Sequence, residues 1–420
     1  MHVVFVVPRF HPYPGGYETY VLHLARHLRL AGHEVTVVTT TAYDLESFWL
    51  KGFRTVPAGR EEVDGIKIIR LPISTARWPR RAGRLLGLLP PWKLKAKFAP
   101  PSFAVRGLTA HLRQFANIDA IHVGPLPYNR LMYEGWWEGR QRGARVLATP
   151  CTHFGEDQNR VVAQHYTQAF QIALLNACDC VLALTNSERD RLQQAGVKEQ
   201  KLFATGAGID VDEVTGGDAD RLRKRYGIDG PLVLHLGTKA PDKGSIIVVE
   251  AMRRLWAEGC QAWLALVGSS VTEFYEYMRS HPVNSSRLLS LGVVSAAEKR
   301  DLLAAASLLV HPSRVESLGL VYLEAWANKK PVIAADTAVS REVITAGRDG
   351  LLVPFGDPAA LADAMRHLLE HPSLRDAMGA AGQYKVQAQF SWPAAAKRIY
   401  PLFQKNTVET CLVASEKPGM

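Results

Sequence analysis

Short runs of aliphatic and β-branched residues alternate along this chain with stretches whose apolar positions recur every three to four residues. In the first half the runs are VVFVV (3–7), EVTVVTT (34–40), IKIIRL (66–71), AIHV (120–123), RVLAT (145–149) and CVLALT (180–185), each predicted as a strand. Helical periods are predicted between them at 17–31, 106–117, 127–142, 160–177 and 187–195. The second half repeats the style with PLVLHLG (231–237), AWLALVG (262–268), SLLVHPS (307–313), PVIAAD (331–336) and GLLVP (350–354). Continuously apolar strands joined by helices belong to parallel sheets covered on both faces. Two such series predict an α/β protein of two Rossmann-like, doubly wound domains.

A chain of 420 residues exceeds one core of usual size, which agrees with that division. The boundary is softest in GIDVDEVTGGDAD (208–220), rich in Gly and Asp. We expect an N-terminal domain over 1–210, a C-terminal domain over 211–392, a helix over 393–405 returning to the N-terminal domain, and a loosely attached tail over 406–420.

In doubly wound domains ligands bind beyond the carboxyl ends of the strands, where helix N-termini favour anions. Three strand-to-helix turns stand out. In PRFHPYPGGYETYVLHLA, Gly15 and Gly16 would let backbone approach a ligand, or would merely form a flexible loop before the helix. In LGTKAPDKGSIIVVEAM, Lys239 and Lys243 precede a helix start, an unfavourable place for a cation unless an anion lies between. The third, PSRVESLGLVYLEAWANKKPVIAAD, carries Glu316 and Glu324 eight residues apart. On a continuous helix that spacing is about 12 Å, too far for a hydrogen-bonded acid/base pair. It suits two ends of one elongated ligand, with the amides of Leu318, Gly319 and Leu320 facing an anion between them. Taken alone, the two carboxylates could equally be a helix cap and a wet face.

The segment HPSRVESLGLVYLEAWANKKPVIAAD, followed by SREVITAGRDGLLVPFGDPAALADAM, resembles the C-terminal domain of the GT4 family of retaining, nucleotide-sugar-dependent glycosyltransferases with the GT-B fold. Glu316 and Glu324 meet that family's E-x7-E pattern. PGGYETYVLHLARHLRLAGHEVTVVTT is similar to its N-terminal glycine loop, and LGTKAPDKG stands at its basic phosphate loop. The resemblance implies two Rossmann-like domains facing an interdomain cleft that holds the donor. It implies that Glu324 binds the ribose hydroxyls, that Glu316 contacts the donor sugar, and that Ser317, Leu318, Gly319 and Leu320 line the sugar and diphosphate. Lys243 would neutralise the diphosphate, and Gly15 and Gly16 would close over it. His153, in TPCTHFGE, stands where the family often carries a histidine beside the sugar; its plainer reading is a histidine bonded to loop backbone. Glu316, His153 and Lys243 are thus the catalytic candidates. Charge stabilisation of a leaving diphosphate requires neither metal nor other cofactor, and we discount a metal reading of Asp210-Val211-Asp212. The family usually has an arginine where this chain has Thr238. Lys239 next door could substitute, although a shift of one residue on extended backbone reverses the side chain.

Composition changes the picture in one place. The chain is 47% hydrophobic and 21% charged, ordinary values for a globular protein, with a net charge of +10. Residues 65–118 hold eleven Lys or Arg and no Asp or Glu, and the remainder of the chain is close to neutral. Arg77, Arg80, Arg81 and Arg84 precede a Leu-rich run, and Trp92 is followed by Lys93, Lys95 and Lys97. Basic residues interleaved with Leu and Trp suit an anionic bilayer surface, and an acceptor-site loop is the competing reading. No nucleic-acid partner is expected. Five cysteines without zinc spacing point to a reduced, cytoplasmic setting, and the N-terminal VVFVV, broken at Pro8 and Arg9, reads as a buried strand and not a leader. The expected activity is transfer of a sugar from a UDP-, GDP- or ADP-sugar to a glycan or lipid-linked acceptor, peripherally at the inner face of the membrane. A nucleotide-sugar epimerase and a non-catalytic sugar-nucleotide-binding scaffold are the alternatives.

Overall fold

The computed structural model describes residues 1–74, 91–99, 103–153, 164–283 and 285–404. Two compact units emerge among the described residues: those up to Gly208, together with 395–404, form unit 1, and Ile209–Ala394 form unit 2. The division at Gly208 falls two residues before the boundary read from the sequence.

Unit 1 contains β1 (His2–Val6), β2 (Glu34–Thr40), β3 (Gly59–Val63), β4 (Ile66–Leu71), β5 (Ile73–Ser74), β6 (Ala104–Val105), β7 (Ala120–Val123), β8 (Arg145–Ala148), β9 (Cys180–Ala183) and β10 (Leu202–Ala204). Eight of them form one sheet in the order β10-β9-β8-β7-β1-β2-β4-β3, parallel except for β3. Strands β1, β7, β8 and β9 are buried at every position, which is why they read as unbroken apolar runs. Strand β3 (GREEV) escapes the periodicity because it is an exposed, charged edge, a common guard against edge-to-edge pairing. The signal that could have found it is Asp64-Gly65, a two-residue hairpin turn with φ 53° and 74°. Residues from Ala395 pack into unit 1: Arg145 Nε donates to Leu402 O at 2.6 Å, Arg398 Nε donates to Thr205 O at 2.8 Å, and the Phe403 ring lies 6.4 Å from that of His122.

Unit 2 contains β11 (Leu232–Leu236), β12 (Trp263–Val267), β13 (Leu288–Leu291), β14 (Leu308–His311), β15 (Val332–Ala335) and β16 (Gly350–Val353). They form a parallel sheet in the order β13-β12-β11-β14-β15-β16. The chain runs outward from β11 to β13, then crosses to β14, so a topological switch point opens between the carboxyl ends of β11 and β14. Val248, Met252 and Leu255 from one helix, and Leu361, Met365 and Leu368 from another, pack with Val233, Leu264, Leu266 and Val310 into the core.

Each unit buries a histidine on a central strand. His122 on β7 and His235 on β11 are wholly buried, and burial pushes both imidazoles down to about 3 from the usual 6.5. The unfolded chain therefore takes up protons below pH 6.5 that the native fold refuses. Their stabilising contribution is complete above pH 6.5 and is lost as pH falls from 6.5 towards 3, at up to about 1.4 kcal/mol per pH unit for each. Urea unfolding at pH 7, 6 and 5 checks this, and a flat profile over that window would show that the imidazoles are protonated inside the fold.

Candidate functional site

The loop leaving β11 turns into the helix Ser245–Ala257 at Gly244, which has φ +74°. A Cβ there would lie 2.4 Å from Pro312 O, so only glycine lets this loop press against the end of β14. Ser245 reinforces the turn, its Oγ accepting from Ala240 N at 3.1 Å and donating to His235 Nε2 at 2.8 Å. The approach brings Lys243 to the segment after β14. Its ammonium donates to Val315 O and to Glu316 Oε1, both at 2.7 Å. His311 Nε2 reaches the same carboxylate oxygen at 2.9 Å. Burial by itself would raise the Glu316 carboxyl, but the Lys243 charge and the His311 hydrogen bond outweigh it and hold the group well below the usual carboxylate range. Glu316, 12% exposed, is thus a part-buried carboxylate at the switch point, held in its ionised form.

The helix that follows starts at Leu320, with Gly319 as its N-cap; a side chain at 319 would run into the Tyr322 ring at 2.3 Å. Glu316 therefore stands in the loop, four residues before the first helical position, and not at a helix entrance. The rise of about 12 Å expected for a continuous helix does not apply, because only Glu324 is helical. Ser317 and Leu318 are buried beside Glu316, and the first amides of the helix have no intrahelical acceptor.

Glu324 is 7% exposed. Its Oε1 accepts from Lys299 Nζ at 2.6 Å, while Oε2 is buried with no hydrogen-bond partner. Leaving a buried carboxylate oxygen unpaired costs about 1–3 kcal/mol or more, which makes this atom a candidate for contact with a ligand. Lys299 escaped the sequence reading because it lies 25 residues upstream on a different helix.

Lys239 does not join this group. Only 3% exposed, it donates to Leu291 O at 2.7 Å, at the end of β13, and burial lowers its pKa. The expectation that it replaces the arginine missing at Thr238 is corrected: adjacent residues on extended backbone point to opposite sides. Thr238 Oγ1 meets Ser269 Oγ at 3.4 Å.

In unit 1, Gly15 caps the helix Gly16–Leu30 with an ordinary φ of −83°. A Cβ here would lie 2.1 Å from Glu18 Oε2, so the Glu18 side chain would have to move to admit one. Glu18 is buried and pairs with Arg9 Nε at 3.0 Å, while Gly16 faces open space. His153, half-buried, meets Tyr166 edge-on at 5.7 Å between ring centres. Its loop is fastened by Glu188, which the sequence marks only as the fourth residue of a helix-start pattern, Thr185-Asn186-Ser187-Glu188. Glu188 Oε1 accepts from Thr152 N and Oγ1 at 2.6 and 2.7 Å, and Oε2 from Leu184 N at 2.7 Å.

Arg77, Arg80, Arg81 and Arg84 lie outside the described residues. Trp92, Lys93, Lys95 and Lys97 form the short helix Trp92–Phe98. Trp92 is half-buried against Trp136, 5.3 Å between ring centres, and the Lys93 ammonium lies 5.6–5.9 Å from the rings of Trp92, Trp136 and Trp137. The window free of acids in sequence is not free of them in space. Lys67 pairs with Glu34, Arg70 with Glu61 and Arg113 with Glu138. Among the described residues, Lys93, Lys95 and Lys97 make no such pair.

Residues 15–208 match the family described as "Glycosyl transferase 4-like domain", and residues 218–385 the family described as "Glycosyl transferases group 1". The D-inositol 3-phosphate glycosyltransferase 1 of Catenulispora acidiphila is 26% identical over 93% of this chain and 90% of its own length. A GDP-mannose-dependent monoacylated alpha-(1-6)-phosphatidylinositol monomannoside mannosyltransferase of Corynebacterium glutamicum is 32% identical over 48% of this chain and 55% of its own length. Among solved structures, Anabaena HepE in complex with UDP superposes with a TM-score of 0.69 at 17% identity, covering 95% of this chain and 98% of that one. With two family matches in domain order over most of its length and two Rossmann-like units of the GT-B type, the chain belongs to the glycosyl transferase group 1, or GT4, family of glycosyltransferases.

Proposed function

We propose that the protein transfers a sugar from a nucleoside-diphosphate sugar to an acceptor hydroxyl with retention at the anomeric carbon. The observation that carries this reading is the unpartnered, buried Oε2 of Glu324 beside the switch point that holds Lys243 and Glu316. Glu324 accepts the ribose hydroxyls, Glu316 the hydroxyls of the sugar, and Lys243 stabilises charge that develops on the departing diphosphate. Proximity and this charge stabilisation do the work without a metal, and the departing phosphate takes up the acceptor's proton.

The test is thermal unfolding of wild type and Glu324→Ala with UDP, GDP and ADP. A nucleotide at 100 times its Kd adds about 2.7 kcal/mol, a visible shift. One nucleotide should stabilise wild type and not the variant, which also identifies the base. Stabilisation of neither by any of the three overturns the reading. Glycosylated product then separates transfer from epimerisation, and turnover of any donor excludes a scaffold.

The acceptor we propose is lipid-linked, met at the inner face of an anionic membrane by the surface around Lys93, Lys95 and Lys97. These three cations have no acidic partner among the described residues, and each such charge near an anionic bilayer contributes about 1 kcal/mol. No helix of the described residues is long and apolar enough to cross a membrane, so attachment would be peripheral. Co-sedimentation with anionic liposomes at low salt, lost in a Lys93→Glu, Lys95→Glu, Lys97→Glu variant, is the expected result; equal recovery of both proteins removes this surface from the proposal.

A further inference from the structure

The Glu316 carboxylate is not held by Lys243 alone. His311, the last residue of β14, is 3% exposed and sets Nε2 2.9 Å from Glu316 Oε1. An ionised carboxylate can only accept, so Nε2 carries the proton and donates. The other ring nitrogen, Nδ1, is buried and has no hydrogen-bond partner.

The ring has little freedom. It stacks on His235 at 5.3 Å and 22°, and meets Tyr322 edge-on at 5.9 Å. Tyr322 Oη donates to His311 O at 3.2 Å, tying the same residue's backbone. His235 is fixed from both ends, Nδ1 donating to Val310 O and Nε2 accepting from Ser245 Oγ, each at 2.8 Å. Gly237 leaves the space the ring needs, since a Cβ there would lie 3.3 Å from His311 Cε1. A wedged planar ring with one N–H is a donor of fixed direction. A lysine on a flexible stem supplies charge but sets no torsion. Both bonds fall on Oε1 of Glu316, and no hydrogen bond among the described residues reaches Oε2.

We propose that His311 is a positioning residue for sugar transfer: with Lys243 it pins Oε1 of Glu316, so that Oε2 is the oxygen presented to the hydroxyls of the donor sugar. The inference rests on the proposed function, which makes Glu316 a sugar contact.

Two variants separate positioning from mere packing. His311→Phe keeps the ring and loses the N–H, and His311→Gln keeps an N–H close to the position of Nε2. In His311→Phe, kcat/KM for the nucleotide sugar should fall about 10- to 100-fold, the effect of one hydrogen bond to a charged group. Affinity for the bare nucleoside diphosphate, which carries no sugar, should stay within about threefold of wild type. His311→Gln should recover most of the loss. Unchanged kcat/KM in His311→Phe, or a parallel fall in nucleoside-diphosphate affinity without rescue by glutamine, overturns the proposal. A second readout needs no turnover. Nitrogen NMR of histidine-labelled protein should show His311 as the Nε2–H tautomer, with signals that move in Glu316→Ala and stay in Glu324→Ala. A His311 protonated at Nδ1, or indifferent to Glu316→Ala, overturns the pinning. If wild type uses no donor, the proposed function fails separately, and the NMR result still decides whether His311 holds Glu316.

Discussion

Lys243→Ala should lower kcat/KM for the donor by about a thousandfold or more, near 4 kcal/mol. The same ammonium that is proposed to meet the diphosphate also donates to Glu316 Oε1 and Val315 O, so its removal acts twice. The first effect is lost stabilisation of the leaving group. The second is a part-buried carboxylate left with His311 as its remaining described partner; breaking a fully buried pair from one side costs about 3–5 kcal/mol, and this pair, 23% and 12% exposed, should lose less. The two effects come apart in a double-mutant cycle. Lys243→Ala with Glu316→Gln should regain a good part of the stability lost in Lys243→Ala, because no charge is then stranded, while transfer stays at the level of the worse single variant. Strictly additive stabilities would mean that the pair is not coupled. Activity within tenfold of wild type in Lys243→Ala would remove Lys243 from the diphosphate.

Gly244→Ala should destabilise unit 2 by about 3 kcal/mol or more. A left-handed backbone alone costs a non-glycine residue roughly 1–2 kcal/mol. At Gly244 the added Cβ would also lie 2.4 Å from Pro312 O and 2.7 Å from Pro312 Cγ. Neither obstacle is the mobile tip of a side chain, so β14's end or the loop must shift, and Lys243 and Glu316 with it. Gly259→Ala is the control. It has φ +87° with nothing within 4 Å of the added atom, so it carries the backbone strain without the collision. Urea unfolding should rank Gly244→Ala well below Gly259→Ala. Equal losses would show that the loop gives way freely, and the close approach would then not be what places Lys243.

By itself the sequence determined the two series of strands and the helices between them, because a strand buried on both faces announces itself through its own residues. Strands β2, β4 and β7 begin and end where their apolar runs do. It also pointed to the turns that could meet a ligand, since Lys243, Gly244 and Glu316 stand in strand-to-helix turns; that those turns follow the central strands β11 and β14 is seen only in the fold. Strands whose residues say little about burial were not legible. Strand β3 is charged and exposed, β13 is a partly exposed edge, and β10 has three residues.

Only the tertiary structure decided how the charges are used. The pairing of Lys299 with Glu324, the hold of His311 on Glu316, the turn of Lys239 towards Leu291 and the neutralisation of Arg113 by Glu138 each join groups on separate elements. No local period records such partnerships. They follow from strand order and crossover, which bring residues distant in the chain to one end of a sheet. An electrostatic environment is a sum over neighbours in space, and the chain alone lists neighbours only along its length.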